Sequence, residues 1–156
     1  MKLFTKVVAA SIFTVLATGA IANSASSLKY AEKATDLRQS IFSLLGSNMG
    51  PLGGMAKGKI EFDAEKVSTH ALRINQLSLM IADYTRTNTS AHKVKTEALD
   101  KIWEQPDAFS KRIDDLTQAS ANLQKAALSG DESLIKKAIG GVGKTCGGCH
   151  DDFKAE

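Results

Sequence analysis

Apolar side chains recur every three or four positions along four long stretches of the chain, the spacing of amphipathic helices. The first stretch runs from about Ser27 to Ser47, and the others begin at Asp63, Pro106 and Asp131. The pattern predicts an all-α protein, an antiparallel four-helix bundle. The predicted inward stripes are Tyr30, Ala34, Leu37, Ile41, Leu44 and Leu45; Val67, Ala71, Ile74, Leu77, Ile81 and Tyr84; Phe109, Ile113, Leu116, Ser120, Leu123 and Ala127; and Leu134, Ile135, Ala138, Val142, Cys146, Cys149 and Phe153.

Capping residues and turn formers mark the ends of these helices. Glycine and proline between positions 46 and 51 are expected to end the first helix, so that the glycine-rich residues 50–58 form a crossover or surface loop. Asp63 is a suitable N-cap for the second helix. Gly130 and Asp131 leave a very short connection between the third and fourth helices, which are therefore expected to be antiparallel neighbours.

The first residues of the chain have the pattern of an export signal. Two lysines among the first six residues are followed by an apolar run at 7–17 that is too short to span a membrane. Small residues ending at Ala22 fit a cleavage site, and cleavage after Ala25 is the second possibility. The sequence therefore predicts a signal peptide at 1–22 and a periplasmic domain at 23–156.

Composition and charge restrict the partners of that domain. Hydrophobic residues make up 43% and charged residues 24% of the 156 residues, as in an ordinary globular protein. The formal charge is +3, and the two lysines of the leader account for two of these charges. Because the remaining domain is nearly neutral, we expect it not to bind nucleic acid. Because the apolar run of the leader is removed with the signal peptide, we also expect no membrane association of the domain.

Cys146 and Cys149, the two cysteines of the chain, stand with His150 in the order C-x-x-C-H. This spacing serves covalent attachment of a c-type haem, in which each thiol adds to a vinyl group and the histidine becomes an axial iron ligand. On a helix the three residues share one face. Two other functions remain open. A redox dithiol is expected near a strand, and structural zinc would need His70 or His92 as a further ligand.

The position of the motif restricts the class of haem protein. Only residues 151–156 follow His150, so a second axial ligand would come from a helix earlier in the chain. This excludes small electron-transfer cytochromes with the motif near the N-terminus and a methionine ligand far downstream. A bundle cytochrome with its haem between the helices at one end remains.

Four segments of the chain resemble the cytochromes c-prime, bundle haem proteins that carry C-x-x-C-H on the last helix. These segments are Leu37–Ser40, Gly50–Leu52, Lys101–Trp103 and Cys146–Asp151. The resemblance covers essentially the whole domain. It implies an antiparallel four-helix bundle with one haem c, bound covalently through the two cysteines and ligated by the histidine of the motif.

The resemblance also implies a five-coordinate, high-spin iron. In the family the distal side is closed by an apolar side chain four residues after an arginine of the first helix. That residue here is Phe42, larger than the leucine or methionine of many members. Arg38 is one helical turn from Phe42, so its guanidinium and the amide of Gln39 are candidates to bind a haem propionate.

Three further residues are candidates through the resemblance. Lys154, four residues past His150, is expected on the same helix face, where the family most often has arginine. Thr96 and Glu97 fall in a segment that approaches the haem in relatives, within a short helical turn predicted at 96–103.

A closed distal side implies a protein that binds nitric oxide or carbon monoxide and scavenges or carries nitric oxide, with electron transfer as a further capability. We recognise no acid and base pair of an enzyme. A second copy of the chain and an unidentified redox protein are the protein partners that the resemblance suggests. The alternative is a six-coordinate electron carrier, whose sixth ligand would come from residues expected outside the helix face that holds Phe42: Met49, Met55, Met80, His70 and His92.

Overall fold

The computed structural model describes residues 23–156, so the predicted signal peptide at 1–22 lies outside the described residues. Five helices and two short strands are formed. In chain order they are β1 Asn23–Ser24, α1 Leu28–Ala56, α2 Ala64–Thr85, β2 Thr87–Asn88, α3 Lys101–Glu104, α4 Pro106–Ser129 and α5 Glu132–Phe153.

The four long helices pack as a ring, with α1 against α2, α2 against α4, α4 against α5 and α5 against α1. Consecutive long helices run in opposite directions, and α3 is a single turn in front of α4. The predicted antiparallel four-helix bundle is therefore confirmed. Within residues 23–156, no helix is long and apolar enough to cross a membrane. The most deeply buried aliphatic side chains of the core are Leu52, Val67, Ile74, Leu123, Ile135, Ile139 and Val142.

The helix starts predicted from capping residues are confirmed. The side chains of Asp63 and Asp131 each accept a hydrogen bond at 3.0 Å from the backbone N–H three residues further on. Pro106 occupies the first turn of α4, where its missing N–H would have no partner within the helix. Gly130 ends α4 with φ of +69°, a backbone conformation that glycine adopts without strain.

The expected end of α1 at Gly50 and Pro51 is wrong, because the helix continues through the proline to Ala56. Leu52 is 0% and Met55 2% exposed, so this last stretch buries two large side chains in the core. That burial outweighs the loss of one backbone hydrogen bond at the proline. The chain turns instead at Gly58, which has φ of +67°.

The inward stripe of α1 is also only partly right. Thr35 and Arg38 are buried on this helix beside Ile41. The buried face of α1 therefore contains two polar residues that the predicted apolar stripe did not include. The inward face is rotated accordingly, and the apolar residues that it leaves outside face solvent. Four residues that were predicted to face inward on α1 and α5 are 44–53% exposed instead: Tyr30, Leu37, Leu44 and Leu134.

The short helical turn predicted at 96–103 is confirmed only in its second half, where α3 begins at Lys101, and residues 96–99 are extended instead. The backbone of this extended segment binds the last residue of α5 and the residues that follow it. The N–H of Leu99 donates to the carbonyl of Phe153 at 2.9 Å, and the N–H of Ala155 donates to the carbonyl of Glu97 at 2.7 Å. These bonds fasten the end of α5 to the loop between α2 and α4.

The residues before α1 are held by the same loop. β1 pairs in parallel with β2, and Ala25, directly after β1, is only 7% exposed. His92 Nε2 lies 3.0 Å from the carbonyl oxygen of Ala25. The backbone from residue 23 onward is therefore part of the folded domain.

Candidate functional site

The C-x-x-C-H motif lies inside α5, so Cys149 and His150 are both about one turn from Cys146 on one helix, as predicted. All three line a cavity of about 210 Å³ between α1, α2, α4 and α5. The rest of the lining is mostly apolar. It consists of Phe42, Leu45, Gly46, Met49, Ile74, Ile81, Phe109, Arg112, Ile113, Leu116, Val142 and Thr145.

Both thiols are partly buried in this apolar cavity and form no disulfide. Burial raises the pKa of the Cys146 thiol, and burial raises the pKa of Cys149 to about 11 despite the nearby positive charge of Arg112. A redox dithiol acts through a thiolate of lowered pKa, so these values argue against that function.

The structural-zinc alternative finds no ligand set in the described part of the chain. His70 Nδ1 lies 3.0 Å from Asn48 Oδ1, and His92 contacts the backbone of Ala25. Among residues 23–156 there is no group of three or more His, Cys, Asp or Glu side chains arranged to hold a metal ion.

Phe42 of α1 and His150 of α5 line the same cavity from neighbouring helices. Met49 Cε lies 3.7 Å from the point that a Cβ of Gly143 would occupy, which aligns α1 with α5. Because the two helices are antiparallel, seven residues back along α1 and seven forward along α5 cover about 10 Å on each. These steps lead from Met49 to Phe42 and from Gly143 to His150, so the phenyl ring is on the α1 wall of the cavity, within about one helical turn of the level of His150.

Met49 lines the same cavity as Phe42, and the expectation that it lies outside that helix face is wrong. Seven residues are nearly two full helical turns, so positions 42 and 49 point in almost the same direction. The thioether of Met49 therefore lines the cavity, beside Gly143, which is about two helical turns from His150 along α5.

Arg38 is almost completely buried, at 2% exposure. Its Nη2 is within 3.4 Å of Thr35 Oγ1 and 3.5 Å of Thr89 Oγ1, and its guanidinium carbon lies 5.2 Å from the ring centroid of Trp103. Burial lowers the pKa of Arg38, against the attraction of Asp100. Nη1 has no hydrogen-bond partner among the described residues. A buried cation with a free donor fits an acidic group brought by a ligand.

Gln39 and Thr96 both bind the loop backbone in the structure. Gln39 Nε2 donates to the carbonyl of Lys95 at 2.9 Å, and Thr96 Oγ1 accepts from the N–H of Ala98 at 3.1 Å. The bond of Gln39 holds the loop against α1, next to the turn that carries Arg38, whereas the bond of Thr96 lies within the loop. Neither residue lines the cavity described above.

The prediction that Lys154 shares the helix face of His150 is wrong. α5 ends at Phe153, and Lys154 is extended, with φ of −120° and ψ of 137°. Its Nζ instead pairs with Glu97 Oε2 at 3.0 Å, alongside the backbone pairing of the two segments. Neither of these charged side chains lines the cavity.

Arg112 of α4 is a lining residue that the sequence did not reveal. Its Nε and Nη2 donate to Asp152 Oδ2 at 2.9 and 2.7 Å, which joins α4 to the last turn of α5. The hydrogen bonds to Asp152 raise the pKa of Arg112, so it remains a cation. The sequence offered one indication that Arg112 faces the cavity, namely its position directly before Ile113, a residue of the predicted inward stripe of α4.

A bundle whose last helix presents two thiols and an imidazole to one apolar cavity defines a c-type haem protein. A family model described as cytochrome c′ matches residues 33–154. The cytochrome c′ of Halomonas halodenitrificans is 38% identical over 129 residues, which make up 80% of this chain and 98% of that protein. The chain therefore belongs to the cytochrome c′ family, and the resemblance deduced from the sequence is confirmed.

Solved structures have the same fold. Cytochrome c prime from Shewanella frigidimarina matches with a TM-score of 0.74 and 36% identity, over 81% of this chain and 97% of that one. A ferrous variant of cytochrome c prime from Alcaligenes xylosoxidans with bound NO matches with a TM-score of 0.72 and 26% identity, over 81% and 96%. Family membership also confirms covalent haem c as the cofactor.

The residues of the cavity fit that cofactor. Cys146 and Cys149 provide the two thiols, one helical turn apart, and His150 provides a nitrogen ligand on the same face. The apolar walls suit a macrocycle. Arg38 does not line the cavity, but it lies one helical turn from Phe42 of the lining, and its unpaired Nη1 suits a carboxylate at the edge of the cofactor.

Proposed function

We propose that this cytochrome binds small diatomic gases, nitric oxide and carbon monoxide, at a five-coordinate haem iron ligated by His150. In this proposal the protein scavenges or carries nitric oxide and can also transfer electrons. The observation that carries the proposal is that Phe42 of α1 and His150 of α5 line one apolar cavity. The nitric oxide complex of the Alcaligenes xylosoxidans relative supports it.

The α1 wall of the cavity explains the expected preference for these gases. None of its four lining residues has a hydrogen-bond donor in its side chain; they are Phe42, Leu45, Gly46 and Met49. Haem c supplies an iron that binds diatomic gases and exchanges one electron. An apolar wall donates no hydrogen bond to a polarised ligand, so it favours small neutral molecules over ligands that depend on such a bond. We propose a binding protein rather than an enzyme.

Arg38 is proposed to bind a haem propionate through its unpaired Nη1. Thr35 and Thr89 contact Nη2, and Trp103 lies against the guanidinium, so the side chain is held in one orientation before the carboxylate arrives. Gln39 is proposed to assist from the next position of α1. Both residues act as anchors of the cofactor edge rather than as iron ligands.

A six-coordinate electron carrier is the second candidate, because Met49 lines the cavity. We predict that the ferric protein gives a high-spin EPR and absorption spectrum. Met49 packs beside Gly143, which is seven residues before His150 on α5, so its sulfur is expected to lie too far along the bundle to bind the iron. The control variant Met49→Leu should give the same spectrum. A low-spin spectrum with a methionine-to-iron band that disappears in Met49→Leu would establish the electron carrier instead.

We propose that export removes residues 1–22 and retains Asn23. Cleavage after Ala25 would delete β1 and remove Ala25, which is buried and bound to His92. We therefore predict that the intact mass of the exported protein corresponds to a chain beginning at Asn23. A periplasmic protein that begins at Ser26 would contradict this prediction.

A further inference from the structure

One ion pair stands directly beside the haem attachment turn. Arg112 of α4 uses two nitrogens to bind a single carboxylate oxygen of Asp152, which is two residues past His150 on α5. The two side chains are 37% and 45% exposed, so they are partly shielded from water. Arg112 also lines the cavity together with Cys149 and His150.

The guanidinium lies against the backbone between the two cysteines. A Cβ at Gly148 would be 3.2 Å from Arg112 Nη1 and 3.5 Å from its Cζ. A side chain at this position would therefore press on the guanidinium, and glycine leaves room for it. Arg112 thus contacts the spacer of the C-x-x-C-H motif and, through Asp152, the turn that follows the histidine.

We propose that Arg112 and Asp152 form a positioning pair that holds the attachment turn and sets the reduction potential of the haem iron by opposing charges. A nearby cation disfavours the more positive ferric state, whereas a nearby anion favours it. Partial burial strengthens both effects, because such charges are less screened than fully exposed ones. Charges and hydrogen bonds around the ligands of a metal centre adjust its potential in this way.

The two charges of the pair therefore shift the reduction potential in opposite directions, and single substitutions measure each shift separately. In the holoprotein, Arg112→Gln leaves the Asp152 carboxylate uncompensated and is expected to lower the midpoint potential. Asp152→Asn leaves the Arg112 cation uncompensated and is expected to raise it. The double variant should return close to the value of the unmodified protein. Spectroelectrochemical titration measures all three shifts.

Two further variants separate the charge from the geometry of the pair. Lys111→Gln is the matched control, because Lys111 is the neighbouring cation of α4 and binds Asp115 within its own helix. It should leave the potential unchanged. Arg112→Lys keeps the charge but loses the planar fork, so it should keep the potential near the original value while lowering the melting temperature.

The proposal is overturned if Arg112→Gln and Asp152→Asn shift the potential in the same direction, or if neither shifts it beyond Lys111→Gln. If either variant does not yield holoprotein, the potential of Arg112→Lys decides, and a large shift there would contradict the charge effect. The opposite shifts depend on covalent haem c alone. They are expected for either spin state of the ferric iron, so they are independent of the proposed gas-binding function.

Discussion

Replacement of Phe42 by alanine is expected to raise the affinity of the ferrous protein for carbon monoxide by about 10- to 100-fold, which is about 1.4–2.8 kcal/mol. In the proposed site a gas that binds on the α1 side would have to displace the phenyl ring, and the substitution would remove this steric cost. Phe42 is 38% exposed, so the ring has room to move toward solvent. Equilibrium titration of the reduced protein with carbon monoxide measures the change.

The matched control for Phe42 is Leu44→Ala. Leu44 lies on the same helix and is 49% exposed, but it does not line the cavity. Its replacement removes a similar amount of apolar side chain from α1 and should leave the affinity unchanged. An unchanged affinity in Phe42→Ala, or equal gains in both variants, would show that the ring does not restrict access.

Replacement of both Cys146 and Cys149 by serine is expected to abolish covalent haem attachment completely. A hydroxyl does not form the thioether that a thiol forms with a vinyl group, and these are the two cysteines of the chain. Mass spectrometry of denatured exported protein should show the added mass of one haem in the unmodified chain and none in the double variant. Each single variant should retain the haem through one bond.

Thr145→Ser provides the matched control for the cysteine variants. Thr145 also lines the cavity, next to Cys146, and its hydroxyl donates to the carbonyl of Val142 at 2.8 Å, a bond that serine can keep. This variant should carry the full haem mass. Free thiols and no added mass in the unmodified protein would remove the basis of the gas-binding proposal.

Local features of the sequence predicted the bundle and the motif well. Asp63 and Gly130 act through hydrogen bonds or backbone angles within a few residues, so their effects can be read from neighbouring positions. The end of α1 could not be predicted in the same way. The continuation through Pro51 depends on the burial of Leu52 and Met55 against other helices, which only the assembled bundle provides.

The candidate site was predictable to the extent that its residues share one helix. The motif and Phe42 follow from spacing and from the family resemblance. Arg112 and Asp152 are 40 positions apart and meet only because α4 and α5 form a hairpin. Lys154 was misplaced because its backbone pairs with the loop before α3, an interaction that helix periodicity does not include.

The burial of the two thiols has a consequence for biogenesis. Thioether formation depends on a reactive sulfur, and the thiolate is its reactive form. Burial raises the pKa of the Cys149 thiol to about 11, which disfavours the thiolate in the closed bundle. Both sulfurs also lie inside the bundle, against apolar side chains of the cavity. We therefore expect covalent attachment to precede the docking of α5, and closure of the helices then to bury the attached cofactor.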